Sequence, residues 1–101
     1  MELRVAEHVM RSGRFGRRRR YRVDLHGVSV FGPKAEHTLI RWERVESIGT
    51  DANGCATVIS ATAEVVFPSG AFGIDPASLV EHLEAARAIE RRGEVIAQLA
   101  E

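Results

Sequence analysis

Arginine is the residue type of this chain that is most concentrated in one place. Seven of the 13 arginines lie between Arg11 and Arg22, and that segment contains no acidic residue. A guanidinium group presents a planar fork of donors that matches the oxygen atoms of phosphate and carboxylate groups. The stretch RSGRFGRRRR also places two glycines beside like charges, which is typical of an exposed loop. The sequence therefore predicts an anion-binding loop over Arg11–Arg22, with a solvated loop that binds nothing as the alternative.

The candidate anion-binding residues are six arginines of this loop: Arg14, Arg17, Arg18, Arg19, Arg20 and Arg22. Phe15 and Tyr21 flank the run, and aromatic rings beside arginines also permit stacking on single-stranded nucleic acid. The net charge of zero, from 14 basic and 14 acidic residues, argues against a general nucleic-acid-binding protein. We therefore expect weak, salt-sensitive binding of anionic lipid or nucleic acid by this loop.

No residue pattern in the sequence predicts catalysis, a cofactor or a metal site. The four histidines include no pair at helical i, i+4 spacing, and a single cysteine excludes a Cys-x-x-Cys pair. Cys55 begins an apolar run, which favours a small core residue over a nucleophile. The lone cysteine also excludes an intrachain disulfide and is typical of a reducing cytoplasm. We expect a protein without enzymatic activity.

Trp42 lies at the end of an apolar run, between Arg41 and Glu43. Tryptophan is enriched among the residues that dominate binding interfaces, so an exposed anchor is one interpretation. The other is a buried ring that packs beside Val45 and Ile48. We favour the buried ring.

The elements that must position these residues are strands followed by a helix. Short alternating runs within residues 2–72 predict seven strands, at 3–9, 21–25, 28–31, 37–41, 45–50, 55–60 and 64–67. The turn Asp51–Gly54 contains Asn-Gly, which is among the strongest hairpin signals. No apolar run approaches the roughly 20 residues of a membrane-spanning helix, so we expect no transmembrane segment.

The segment GIDPASLVEHLEAARAIERR predicts one amphipathic helix over about residues 76–92. Asp75 is a good N-cap and Pro76 suits the first helical position. At 100° per residue one face carries Leu79, His82, Leu83, Ala86 and Ile89.

A continuation of this helix to residue 100 is the alternative. The apolar pattern persists in the last part of the chain, at Val95, Ile96 and Leu99. Either the same domain or a second copy of the chain must cover these side chains, so the C-terminal helix is a candidate homodimer contact.

Two stretches, TLIRWERVESI (38–48) and DPASLVEHLEAARAI (75–89), resemble small bacterial pleckstrin-homology-like (PH-like) domains. The resemblance spans roughly residues 20–92. The length of 101 residues indicates one domain over residues 1–101. The order of the elements, strands followed by a helix, indicates α+β class and mainly β. The expected architecture is an antiparallel barrel or sandwich of about seven strands, closed by one C-terminal amphipathic helix.

The expected function follows from exclusion, because the sequence has no acid–base pair, nucleophile, metal cluster or nucleotide motif, while the expected fold offers a large surface. We expect a non-enzymatic binding or scaffold module of a bacterial cytoplasm that recognises a protein partner. The Arg11–Arg22 loop keeps a second interpretation open, which is peripheral attachment to anionic lipid headgroups at a membrane, or binding of nucleic acid.

Overall fold

The computed structural model of the protein describes residues 5–12, 17–32 and 36–100. These residues form seven strands followed by two helices. The strands are β1 (Val5–Ser12), β2 (Arg17–Asp24), β3 (Gly27–Phe31), β4 (His37–Arg41), β5 (Ser47–Thr50), β6 (Ala56–Ile59) and β7 (Glu64–Phe67). The helices are α1 (Pro76–Ala86) and α2 (Ile89–Ala100), and single 3₁₀ turns lie at Trp42–Arg44 and Ala71–Gly73.

The strands form two antiparallel sheets that pack face to face. One sheet has the order β1-β2-β3-β4 and the other the order β5-β6-β7. The predicted α+β class with mainly β content is confirmed. The described strands form no closed barrel, because these are two separate sheets.

The inner faces of both sheets and one face of each helix enclose a single core. Strand alternation sends every second side chain inward, and most of the buried side chains are apolar. The largest fully buried side chains come from both sheets and both helices: Phe67, Ile40, Leu79, Leu83, Ile96, Val23, Val28, Val58, Val65 and Val95. Burial of one such side chain contributes about 1.5–3 kcal/mol, so this core is the main source of stability.

The turn from β2 to β3 positions the tryptophan. The Asp24 carboxylate accepts hydrogen bonds from the backbone N–H of His26 (2.8 Å) and of Gly27 (3.1 Å). The Asp24 carbonyl oxygen accepts from Trp42 Nε1 at 2.7 Å, and the Trp42 side chain is only 5% exposed. The interpretation of Trp42 as a buried ring is confirmed.

Helix α1 begins where the sequence predicts. Pro76 is its first residue, and the N-cap Asp75 accepts from Ser78 Oγ at 2.7 Å and from Ser78 N at 3.1 Å. These hydrogen bonds favour the ionised carboxylate and lower the pKa of Asp75 below its ordinary value. Leu79, Leu83 and Ala86 are buried as expected.

The prediction of one helix over 76–92 is wrong at its C-terminal end. Helix α1 ends at Ala86 and α2 begins at Ile89. A straight helix through residue 100 would be about 37 Å long and would carry its last turns away from the sheets. The break returns α2 to the sheet, where it contacts β1 and buries its apolar residues: Val95, Ile96 and Leu99. Ile89, expected on the buried face, is instead 75% exposed at the break.

The prediction of a loop over Arg11–Arg22 is also wrong for its described part. Strand β1 extends to Ser12 and β2 begins at Arg17, with Met10 paired to Arg19 and Arg11 to Arg18. Residues 13–16, with Arg14 among them, lie outside the described residues. An antiparallel ladder satisfies the backbone groups of both strands, so a run of arginines does not prevent strand formation.

Candidate functional site: the outer face of the first sheet

Strand β2 divides the run of arginines between two sides of the sheet. Tyr21 and Val23 point into the core, so their neighbours in the alternation point outward. Arg18 and Arg20 are exposed on the outer face, and Arg22 is half-buried there. Arg19 lies on the inner side with Tyr21 and is half-buried. The structure therefore brings together only part of the predicted set, and Arg17 contributes its backbone to β2.

Cross-strand pairing places an aromatic residue beside these arginines. Arg20 is opposite Phe31, which is opposite His37 on β4. The Phe31 and His37 rings stack with centroids 4.2 Å apart and an interplanar angle of 7°. The guanidinium carbons of Arg20 and Arg22 lie 4.8 Å and 4.9 Å from the centroid of the Phe31 ring. A guanidinium held against a ring loses less entropy when it binds a ligand, so Phe31 pre-organises both arginines.

The arginines of this face differ in their charge partners. Arg22 donates from Nε to the Glu7 carboxylate at 2.6 Å. Within residues 5–12, 17–32 and 36–100, no carboxylate pairs with Arg18, Arg20 or Arg41. Two of these cations, Arg18 and Arg20, follow each other on the outer side of β2. They are the side chains of the face that are best placed to receive an acidic ligand.

A shallow depression of about 280 Å³ lies on the same face, over strands β2, β3 and β4. Its floor includes Ser29, which is nearly fully buried, and its walls include Phe31, His37 and Arg41. Leu39, at 39% exposure, adds an apolar wall. We call seven of the outward side chains of this sheet the outer basic face: Arg18, Arg20, Arg22, Phe31, His37, Leu39 and Arg41.

Exposed apolar side chains lie beside the arginines of the outer basic face. Val9 of β1 is opposite Arg20 and is 52% exposed. Leu39 of β4 is opposite Ser29 of β3 on the same face. Guanidinium groups beside accessible aliphatic groups suit a ligand that has both carboxylates and apolar side chains.

A second depression, of about 460 Å³, separates β4 and the Trp42–Arg44 turn from the connection between β6 and β7. Glu43, Arg44 and Glu46 line it and are exposed. The Ser60 hydroxyl in its wall donates to the Ala63 carbonyl and accepts from the Ala63 N–H. This depression has mixed charge, and its hydroxyl group serves the local turn.

The histidines and the cysteine occupy separate places in the described chain. His8 Nδ1 accepts from the Phe72 N–H at 2.6 Å, which fixes the link between β7 and α1. His82 is half-buried, and its Nδ1 lies 2.7 Å from the Ser78 carbonyl oxygen. Cys55 is half-buried immediately before β6 rather than fully in the core. Among the described residues, no three or more His, Cys, Asp or Glu side chains form a group that could hold a metal ion.

The C-terminal helix offers no uncovered apolar stripe of the kind that the homodimer prediction assumed. The three apolar residues of α2 that motivated it are buried within the chain itself: Val95, Ile96 and Leu99. The homodimer prediction therefore loses the observation that supported it.

Comparison with known proteins finds no match among family models, curated proteins or solved structures. In the part of the chain that the structure describes, no helix has the length and apolar character needed to cross a membrane. Functional inference therefore rests on the geometry of the outer basic face.

Proposed function

We propose that the protein is a non-catalytic binding module whose outer basic face recognises an acidic surface of a protein partner. The observation that carries the proposal is the position of Arg20. Its guanidinium is held against Phe31, yet no described carboxylate pairs with it. When a carboxylate binds a pre-organised guanidinium that has no charge partner, the two groups form an ion pair with charge-assisted hydrogen bonds, which favours the complex.

The proposal includes a PH-like architecture. Its support is the element order: antiparallel sheets of four and three strands, then a helix whose apolar face covers the core. Modules of this kind present a stable sheet surface on which binding residues can vary, and the function depends on that surface rather than on the fold. In this proposal the module acts without a cofactor, in a bacterial cytoplasm.

A protein partner suits the outer basic face better than a nucleic acid. Stacking of bases needs accessible aromatic faces. His37 covers one side of the Phe31 ring, and two guanidinium groups approach the ring as well. The Glu7 carboxylate on the same face repels a regular chain of phosphates, and the exposed side chains of Val9 and Leu39 suit aliphatic groups.

Binding of anionic lipid or nucleic acid by the same arginines is the second candidate function. Arg18, Arg20 and Arg41 favour it, since all three lie on one face without a described carboxylate partner. Such binding would weaken steeply with salt, because the released counterions dominate its free energy. In this alternative, the affinity depends on the spacing of the phosphates and does not depend on aliphatic contacts.

The chain offers a matched set of variants to test the proposal. Arg18→Gln with Arg20→Gln removes two cations from the outer face, whereas Arg19→Gln removes one cation from the inner side of the same strand. Tagged forms of the wild type and both variants are used for quantitative affinity capture from cells of the source organism.

We expect one partner protein to be captured in stoichiometric amount by the wild type and by Arg19→Gln, and to be lost from the Arg18→Gln, Arg20→Gln protein. Equal capture by all three proteins would contradict the role of the outer face. The second candidate function would be favoured if nuclease treatment removed the captured partner, or if the tagged wild type enriched membrane vesicles.

A further inference from the structure

The two arginines of β2 that have no described carboxylate partner on the outer face are spaced like the side chains of a second extended chain. Arg18 and Arg20 are separated by two residues of a strand, which is about 6.8 Å at 3.4 Å per residue. An extended peptide places its own alternate side chains on one side with the same repeat. Two acidic residues at alternate positions can therefore meet both guanidinium groups at once.

The next position on the strand limits the length of this match. Arg22 follows Arg20 on the outer face, but it is paired with Glu7. A third acidic side chain at that position would approach the Glu7 carboxylate and be repelled. The matching segment therefore has two acidic residues rather than a long acidic run.

The remaining neighbour of Arg20 on the outer face is an exposed aliphatic side chain. Val9 is directly opposite Arg20 in the ladder and is 52% exposed. Because directly opposite side chains are about 5 Å apart, a ligand residue at Arg20 also reaches Val9. The side-chain methylene groups of a glutamate that binds Arg20 would bury apolar area against Val9, which a phosphate chain would not.

We infer that the outer basic face binds an extended acidic peptide segment with two acidic residues at alternate positions. The inference rests on the proposed function and adds the chemistry of the partner. The acidic pair contacts Arg18 and Arg20, and Phe31 holds the second of these in place. Nothing in this mode requires phosphate or a membrane surface.

Isomeric peptides test the spacing directly. The probes are two fluorescein-labelled peptides, Val-Glu-Val-Glu-Val and Val-Val-Glu-Glu-Val, measured by fluorescence anisotropy at low salt. They have the same charge and composition, and only the first presents both carboxylates on one side of an extended chain. An oligothymidylate and vesicles containing phosphatidylserine are measured in parallel, and circular dichroism verifies that each variant is folded.

We expect the alternating peptide to bind about two- to fivefold more tightly than its isomer, in line with one exposed ion pair. Arg18→Gln and Arg20→Gln should each weaken it by a similar factor, while Arg19→Gln should leave it unchanged.

Three outcomes would overturn the inference: equal affinity for the two isomers, no binding of the alternating peptide, or tighter binding of the oligonucleotide or the vesicles. The capture experiment with the same variants tests the proposed function separately. A partner that depends on Arg18 and Arg20, together with equal binding of the isomers, would refute the spacing and leave the function standing.

Discussion

Arg92 is expected to hold the break between the two helices. Its Nε donates to the Ala86 carbonyl at 2.8 Å and its Nη2 to the Arg87 carbonyl at 3.1 Å. Its guanidinium carbon also lies 5.0 Å from the centroid of the Trp42 ring. These carbonyl groups end α1 and would otherwise have no helical partner. A cation at this end is also favoured by the helix dipole.

Arg92→Lys tests this role because it keeps the charge and removes the planar fork. We expect the free energy of unfolding to fall by about 1 kcal/mol because the partly buried hydrogen bond to Ala86 is lost. A further loss of about 0.5–1 kcal/mol is expected from the contact with Trp42. For a domain of this size, a total near 2 kcal/mol lowers Tm by roughly 8–16 °C. Thermal and urea unfolding followed by circular dichroism measure it.

The neighbouring residue provides the matched control. Arg91 is exposed, and its described contact is an ion pair with Glu94 at 3.5 Å. Arg91→Lys should change the free energy of unfolding by less than about 0.5 kcal/mol. If the two variants unfold alike, then Arg92 does not hold the break and this reasoning is refuted.

Three further predictions concern the positions that shape the sheets and the helix start. A Cβ at Gly27 would collide with the Ile40 carbonyl oxygen. Gly27→Ala should therefore lower the free energy of unfolding, measured by chemical denaturation, by about 1–3 kcal/mol. His8→Leu should cost about 1–3 kcal/mol because it leaves the Phe72 N–H without its acceptor, whereas His8→Asn, which keeps an acceptor, should cost less. The lowered pKa of Asp75 means that its stabilisation is full above the ordinary aspartate pKa and is lost as pH falls through the lowered value. Comparison of acid unfolding in the wild type and Asp75→Asn should show this part of the pH dependence disappear.

The sequence was sufficient to predict the limits of segments that bury one face and are bounded by turn residues. Strands β4 (His37–Arg41) and β7 (Glu64–Phe67) have the predicted limits. The start of α1 is marked by Asp75 and Pro76, whose capping chemistry is local. These features depend on the nearest few residues, so the sequence is enough to predict them.

The helix break could not be predicted from local signals. Arg87 has right-handed helical dihedral angles, and the turn at residues 87–88 contains neither glycine nor proline. What favours the break is the burial of α2 against β1, a contact between residues far apart in sequence. The continuing apolar pattern at Val95 and Leu99 was visible, but its partner surface was not.

Part of the arginine run forms a strand that its composition did not predict. Like charges and glycines indicate a loop, yet Tyr21 and Val23 already alternate with Arg20 and Arg22 in the sequence. Extension of that alternation backwards assigns Arg18 and Arg20 to one face and Arg19 to the other. Pairing with β1, which stabilises this extension, is a long-range property.

The aromatic part of the site was missed because it depends on register. Phe31 and His37 belong to different strands, and their stacking follows from the pairing of β3 with β4. The two residues flank the short connection between those strands, and this is the signal from which their pairing could have been inferred. No local pattern predicted that Arg20 would lie against that stack.

The most direct test of the outer basic face follows the arginine side chains themselves. The Nε–Hε signals in two-dimensional NMR spectra distinguish Arg18 and Arg20 from Arg19 while the alternating peptide is added. We predict saturable shifts for Arg18 and Arg20, smaller ones for Arg22, and none for Arg19. Shifts confined to the helices, or equal shifts for Arg19 and Arg20, would contradict recognition by the outer basic face.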